Sequence, residues 1–175
     1  MDIVFVNGSG ETDGNTARLA RELIGNRPFT QVDLVDLKVY DYGQHFDDDQ
    51  FDEVLAKIEA ADVVVMGSPV YWHDISGMMR NLLDRFYGPV AEGSLAPRRL
   101  FFVFQGAAPT AEMLHRGEYT MGRFAGLYGM TWEGMATNSE EARRLGERLQ
   151  GRVGQGYDGA PCGGAPFFWR RSLWK

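Results

Sequence analysis

The feature that most constrains this chain is an unbroken run of four apolar residues at positions 63–66. A strand with one face in water alternates apolar and polar residues, so an unbroken run is typical of a strand buried on both faces of a parallel sheet. The run ends at residues 67–69, Gly-Ser-Pro, and a helical pattern follows from about Ser76. Two large aromatic residues, Tyr71 and Trp72, lie in the predicted loop between them.

The rest of the chain repeats this alternation of buried strands and amphipathic helices. Strands are predicted at residues 2–7, 29–37, 63–66, 100–104 and 130–136. Helices are predicted at residues 16–26, from a cap at Asp48 or Asp49 to about 60, from about 76, at 111–128, and at 140–150 with a cap at Asn138 or Ser139. This order predicts an α/β fold of three layers, with a five-stranded parallel sheet in the order 2-1-3-4-5.

Composition narrows the class of protein. A chain of 175 residues, 44% of them hydrophobic, suits one domain with a full core. A net charge of −6 argues against a nucleic-acid partner, and no segment reaches the roughly 18 apolar residues of a membrane span. The N-terminus has no basic segment or long apolar segment typical of a secretory signal, and the single cysteine, Cys162, rules out an internal disulfide. We therefore expect a cytoplasmic protein.

The C-terminal end differs from the rest. Residues 1–150 carry the strand and helix patterns, whereas residues 151–175 are rich in glycine and then in aromatic residues. We expect a domain followed by a tail. An exposed aromatic patch is a liability for a monomer, so our hypothesis is that the tail packs on a partner subunit or over the edge of a bound ligand.

Three predicted loops carry the candidate chemistry, because the carboxyl ends of neighbouring strands meet at one edge of a parallel sheet. The first loop (residues 9–16) precedes a helix and holds hydroxyl and amide donors but no Lys or Arg, so a phosphate there would depend on backbone N–H groups. The second loop (68–73) holds the two aromatics, and the third loop (105–109) is rich in small residues. Taken singly, each also fits an ordinary connection. Together they predict a site for a flat, phosphorylated ligand.

At this point the sequence resembles the flavodoxin-like family of NAD(P)H-dependent FMN reductases. The resemblance is carried by GSGETDGNTARLA at residues 8–20 and GSPVYWHDISGMMRNLLDRFY at residues 67–87, and it covers about residues 1–150. It implies a flavodoxin-like FMN-binding domain that takes electrons from NAD(P)H. It also implies a homodimer or homotetramer.

The resemblance implies roles for particular residues. Three would hold the FMN phosphate: Ser9, Asn15 and Thr16. Six would flank or touch the isoalloxazine ring: Pro69, Val70, Tyr71, Trp72, Gln105 and Gly106. The related iron–sulfur flavoproteins carry a cysteine cluster after the second strand, but residues 39–49 contain no cysteine here, so no cluster is expected.

The expected activity is transfer of electrons from NAD(P)H through FMN to a small acceptor such as a quinone, an azo or nitro compound, or free flavin. No acid–base residue is required by this scheme, and His73 is the one candidate for a proton role near the ring. The aspartates at 47–49 suggest a solvated turn and helix cap rather than a metal site.

Three alternatives remain open at this stage. An electron-transfer flavodoxin would share the fold without NAD(P)H turnover. A Rossmann-type NAD-binding domain would place Asp33 or Asp36 on a ribose, although the glycine spacing argues against it. A domain that has lost FMN would explain the acidic residues Glu11 and Asp13 in the first loop.

Overall fold

The computed structural model describes residues 1–150, and the tail at residues 151–175 lies outside the described residues, so the division into domain and tail stays a prediction. The strands are β1 (Ile3–Asn7), β2 (Thr30–Asp33), β3 (Val63–Tyr71), β4 (Asp74–Ile75), β5 (Arg99–Gln105) and β6 (Thr131–Ala136). The helices are α1 (Asn15–Ile24), α2 (Phe51–Ala60), α3 (Gly77–Arg85), α4 (Ala111–Tyr128) and α5 (Ser139–Gly146).

The predicted α/β architecture is confirmed. The sheet runs β2-β1-β3-β5-β6 with all four of these pairings parallel, which is the order 2-1-3-4-5 of the five predicted strands. Two cores lie on its faces. One is formed by α2, α3 and α4 around Phe86 and Phe102, and the other by α1 and α5 around Leu23 and Phe101.

The third strand is longer than predicted, which corrects the assignment of residues 67–71 to a loop. β3 continues to Tyr71, and its residues from Gly67 to Pro69 pair with β5. β1 ends opposite Gly67, so Ser68 and Pro69 pair with β5 alone. Pro69, which lacks an N–H group, is therefore tolerated within a strand at this edge position.

A sixth strand was missed. β4 is two residues long and pairs antiparallel with β3, through Val70 with Ile75 and Tyr71 with Asp74. Such a short segment has no period to detect, and the glycine that usually marks a tight hairpin turn is absent.

Other predicted boundaries shift at element ends. β2 covers Thr30–Asp33, and the alternating pattern up to residue 37 passes into a 3₁₀ turn at Leu34–Asp36. The last helix ends at Gly146 and continues as a 3₁₀ turn at Glu147–Gln150. Asn138 caps it, accepting a hydrogen bond from the Glu141 backbone N–H at 3.0 Å.

The aspartates at positions 47–49 serve the long segment between β2 and α2. Asp48 accepts hydrogen bonds from the Lys38 ammonium and the Tyr40 hydroxyl, at 2.6 and 2.9 Å. Asp49 accepts one from the Phe51 backbone N–H at 3.2 Å, although Gln50 is the formal N-cap of α2. Residues 1–150 contain no group of three or more His, Cys, Asp or Glu placed to hold a metal ion.

Arg85 fastens this segment to α3. Its guanidinium donates to the Asp49 carboxylate at 2.5 Å and to the Tyr40 carbonyl at 3.0 Å, and it lies over the Phe51 ring. Side-chain exposure is only 14% for Arg85 and 17% for Asp49. The Arg85 hydrogen bond holds the pKa of Asp49 below its ordinary value, against the opposing effect of burial.

Among the helices of the described part of the chain, none is both long and apolar enough to cross a membrane.

The Asp49–Arg85 pair gives a pH-dependent prediction. Because the folded-state pKa of Asp49 is lowered, its contribution to stability is full above the unfolded pKa and is lost as pH falls through the folded pKa. Asp49→Asn should therefore cost about 1–2 kcal/mol of unfolding free energy at pH 7 and much less near pH 3, in urea titrations. Asp47→Asn, an exposed neighbour, is the matched control and should change little. An equal cost of Asp49→Asn at both pH values would contradict this account.

Candidate functional site

The three loops lie at one edge of the sheet. β1, β3 and β5 are adjacent and parallel, so their carboxyl ends deliver the first loop, the β3–β4 turn and the third loop to neighbouring positions. This is the edge where open α/β sheets bind ligands, at the point where the strand order reverses between β1 and β3.

A buried hydrogen-bond network around Ser76 fixes the first loop against β3 and α3. The Ser76 hydroxyl donates to the Gly8 carbonyl at 2.6 Å and accepts from the Met79 backbone N–H at 3.2 Å, which caps α3. The Ser76 N–H donates to the Ser68 hydroxyl at 2.8 Å. The Gly8 N–H donates to the Gly67 carbonyl at 2.7 Å. Three segments distant in sequence are thereby held in one arrangement.

Two of these positions require glycine because of close packing. A Cβ on Gly67 would lie 2.8 Å from side-chain atoms of both Phe5 and Thr16, and a Cβ on Gly8 would lie 3.0 Å from the Met79 Cβ. The missing side chains allow the start of α1 to approach β3.

The first loop is shaped by amide groups beneath it. Asn7, fully buried at the end of β1, accepts from the Ser9 N–H at 3.1 Å and donates to Asp33 at 2.8 Å and to the Glu11 carbonyl at 3.1 Å. The Ser9 hydroxyl accepts from the Glu11 N–H at 3.2 Å. The loop conformation is therefore held by its own network and does not depend on a ligand.

Helix α1 begins without a side-chain cap. Its N-cap is Gly14, and its first turn contains no acidic residue. Within residues 1–150 the backbone N–H groups of Gly14, Asn15 and Thr16 have no hydrogen-bond acceptor. Such N–H groups, together with the helix dipole, favour an anion at this position.

The two acids of the first loop are placed differently. Asp13 forms an ion pair with Arg21 in the last turn of α1, and this hydrogen bond is the main reason that the pKa of Asp13 is lowered. Glu11 lies against Gly14, with its Oε2 atom 3.4 Å from the position that a Cβ there would take.

The β3–β4 turn has an uncommon backbone. Trp72 and His73 have φ angles of 46° and 68°, the left-handed values required at both central positions of a two-residue hairpin turn. Glycine or asparagine normally fills such positions, and bulky residues there are strained. The Trp72 side chain is 95% exposed. Trp72 thus keeps a strained backbone conformation while its ring is in solvent, which suggests that the ring is kept there for a function.

A cavity of about 280 Å³ lies between this turn and the third loop. Its walls are Val70, Trp72, His73, Gly106, Ala107, Ala108, Pro109 and Met113. Val70 and Gly106 are in contact at one side of the cavity, because a Cβ on Gly106 would lie 3.0 Å from the Val70 Cβ. The cavity is a slot beside this contact, with an aromatic side chain at its rim.

The slot is connected to the start of α1. The Gln105 side-chain amide donates to the buried Thr16 hydroxyl at 3.3 Å, so the third loop and the first loop are joined directly. A helix start that favours an anion and a slot lined mainly by small and apolar residues thus lie side by side at one edge of the sheet.

The structure separates the residues predicted from sequence into three groups. Val70, Trp72, His73 and Gly106 line the slot, while Gln105 and Thr16 join it to the first loop. Asn15 is exposed at the start of α1, and the Ser9 hydroxyl is engaged within the loop. Two predicted ring contacts, Pro69 and Tyr71, do not line the slot: the former is buried in β3, and the latter is half-exposed.

Sequence reasoning missed several contributors. Met113 lines the slot because Thr110 caps α4 and accepts from the Met113 N–H at 3.3 Å, which places it in the first turn. Asn7 gave a signal that could have been used, since it is a polar residue at the end of an apolar run. Ser76 gave none, because its partner Gly8 is 68 positions away.

A second cavity, of about 310 Å³, lies at the other end of the domain. It is lined by the last turns of α3 and α4 and by the segment between β2 and α2, through Tyr42, Leu83, Asp84, Tyr87, Phe124, Leu127 and Tyr128. It has no helix N-terminus beside it and lies away from the strand carboxyl ends. We do not assign the site to this cavity.

Known proteins of similar sequence or structure share the fold of this chain. An iron–sulfur flavoprotein of Methanocaldococcus jannaschii is 27% identical over 99 residues, 49% of this chain and 51% of that protein, so the match spans about half the length of the curated relative. The Trp repressor binding protein of Bacillus subtilis has a TM-score of 0.66, with 18% identity, over 86% of this chain and 99% of that one. These likenesses establish the flavodoxin-like fold.

A third comparison shows the same fold with its ligand. An FMN-dependent NADH-azoreductase of Bacillus anthracis in complex with FMN has a TM-score of 0.53 and 14% identity over 85% of this chain and 95% of that one. The family model described as NADPH-dependent FMN reductase matches residues 1–147, which is most of the chain. This confirms the family inferred from residues 8–20 and 67–87, and the chain belongs to the NADPH-dependent FMN reductase family.

Proposed function

We propose that this protein is an oxidoreductase that binds FMN at the carboxyl edge of its sheet and passes electrons from NAD(P)H to a small flat acceptor. One observation carries the proposal. The unpaired N–H groups at the start of α1 and the slot lined by Val70 and Gly106 are joined by the Gln105–Thr16 hydrogen bond, so one ligand can engage both.

The residues present fit FMN in chemistry. FMN has an anionic phosphate at one end and, at the other, a flat ring with apolar faces and one polar edge. The first turn of α1 offers N–H donors with no acid among them, and Gly10 leaves open space beside the loop. The slot offers apolar walls with the backbone of Gly106 at its side. Ligand sites of this kind combine apolar walls with few polar groups.

The roles of the residues follow from their positions. Asn15 and Thr16 present backbone N–H groups to the phosphate, and the Ser9 hydroxyl accepts from the Glu11 N–H within the loop. Val70 and Gly106 line the slot, while Trp72 lies exposed at its rim. His73 lies at the rim, where it can contact an incoming substrate, and its role in proton transfer stays a prediction.

The chemistry that bound FMN supplies is two-electron transfer between a nicotinamide and a second substrate. For a quinone acceptor the reaction balances as NAD(P)H plus one proton plus quinone giving NAD(P)⁺ plus hydroquinone. The chain contributes binding, orientation and exclusion of water from one face of the ring. The quinone, azo, nitro or free-flavin acceptor remains part of the proposal.

The slot favours flat acceptors over bulky ones. Its exposed rim is formed by Trp72 and His73 on one side and Pro109 and Met113 on the other. An aromatic face and a thioether suit an aromatic ring by stacking and by sulfur–ring contact. We further propose that the protein is a homodimer or homotetramer, and that the tail at residues 151–175 packs on a partner subunit or over the edge of the bound flavin.

The first prediction is spectroscopic. Purified protein mixed with FMN should retain flavin absorbance after removal of free flavin, and anaerobic NADPH should bleach it. Bleaching that is reversed by a quinone supports the reductase function. Flavin that binds but stays oxidised with both NADPH and NADH would instead identify an electron carrier, and absence of binding would contradict the proposal.

The second prediction concerns the width of the slot. Gly106→Ala places a methyl group 3.0 Å from the Val70 Cβ, so the third loop must shift away from Val70 and the slot that it lines changes shape. We expect FMN affinity to fall about tenfold. Gly126→Ala, in α4, is the matched control, since nothing lies within 4 Å of the added atom. It should leave FMN affinity unchanged. Equal affinities of the two variants in fluorescence titration would contradict the placement of the ring.

A further inference from the structure

The first loop carries an acidic residue at the place where the proposed function requires an anion to bind. Of the two acids in the loop, Asp13 is paired with Arg21, and the charge of Arg18 also acts on it. Glu11 differs. Its backbone N–H and carbonyl are both engaged, with Ser9 and Asn7, whereas its carboxylate receives no hydrogen bond or ion pair within residues 1–150.

The backbone of Glu11 is fixed by the loop. Its N–H and carbonyl are held by Ser9 and Asn7, and its side chain is exposed. The Glu11 Cβ lies 3.0 Å, and its Oε2 atom 3.4 Å, from the place where Gly14 would carry a Cβ. Gly14 is the N-cap of α1, so the carboxylate lies beside the unpaired N–H groups.

A phosphate bound at the start of α1 would lie close to the Glu11 carboxylate and be repelled by it. Two like charges a few ångströms apart repel by an amount that changes a binding constant severalfold in a high dielectric, and by more where water is partly excluded. The same carboxylate leaves the ring end of the ligand untouched, because the slot is lined by other residues and carries no charged side chain from the first loop.

We propose that Glu11 is a specificity residue that acts against the flavin phosphate, so that the site accepts flavins with little preference for the 5′-phosphate. The inference rests on the proposed function and deepens it by naming the substrate class: flavins with and without a phosphate. Ring contacts in the slot bind both flavins, and the charge of Glu11 offsets part of the attraction that the start of α1 exerts on the phosphate.

The test compares two flavins and three proteins. FMN and riboflavin are titrated into wild type, Glu11→Gln and Glu59→Gln, with quenching of flavin fluorescence as the readout. Glu11→Gln keeps the size of the side chain and removes its charge. Glu59→Gln makes the same change of net charge near the end of α2, where Arg98 binds the Glu59 carbonyl, at the opposite edge of the sheet.

The expected result is a selective gain. Glu11→Gln should tighten FMN about threefold to fivefold and leave riboflavin unchanged, as expected for removing one exposed charge near a phosphate. Glu59→Gln should change neither. The gain should shrink between about 20 mM and 500 mM salt, because the screening length falls from roughly 20 Å to below 5 Å. A purely structural effect of Glu11 would not depend on the phosphate or on salt.

Other results would overturn the inference. An equal change for FMN and riboflavin, or no change for either, would contradict it while leaving the proposed function intact. A gain of the same size in Glu59→Gln would show a general charge effect and not a role of Glu11. If wild type binds neither flavin, the proposed function itself fails, and this inference fails with it.

Discussion

The candidate site depends on the Ser76 hydroxyl, which is buried between the first loop and α3. By donating to the Gly8 carbonyl and accepting from the Met79 N–H, it joins the end of β1 to the start of α3, and its own N–H is fixed by Ser68. No charge is involved, so the arrangement is insensitive to pH and salt. The first loop is therefore formed before any ligand binds, which lowers the entropy cost of binding.

The fold was largely predictable from the sequence because its strands are buried on both faces. Unbroken apolar runs such as residues 63–66 and 100–104 mark parallel strands, and the helices between them show clear periodicity. The parallel strand order then followed from general rules of connection. Boundaries were less predictable, since the chain beyond Met66 stays in a strand through pairing with β5, a partner over 30 positions away.

The location of the candidate site was predictable from the sequence, but the residues that line it were predictable only in part. The three loops were identified from the ends of strands, and four of the predicted residues line the slot. The β3–β4 hairpin was not, because Trp72 and His73 occupy left-handed positions that sequence rules reserve for glycine and asparagine. The orientation of Glu11 beside Gly14 also depends on the buried Asn7 network, which no local pattern reveals.

The central claim is that one ligand joins the start of α1 to the slot lined by Val70 and Gly106. The most direct measurement is a crystal structure of the full chain with FMN. We predict the phosphate within hydrogen-bonding distance of the backbone N–H groups of Asn15 and Thr16, and the ring in the slot against Val70 and Gly106. FMN bound elsewhere, for example in the cavity lined by Tyr42 and Leu127, would contradict the account.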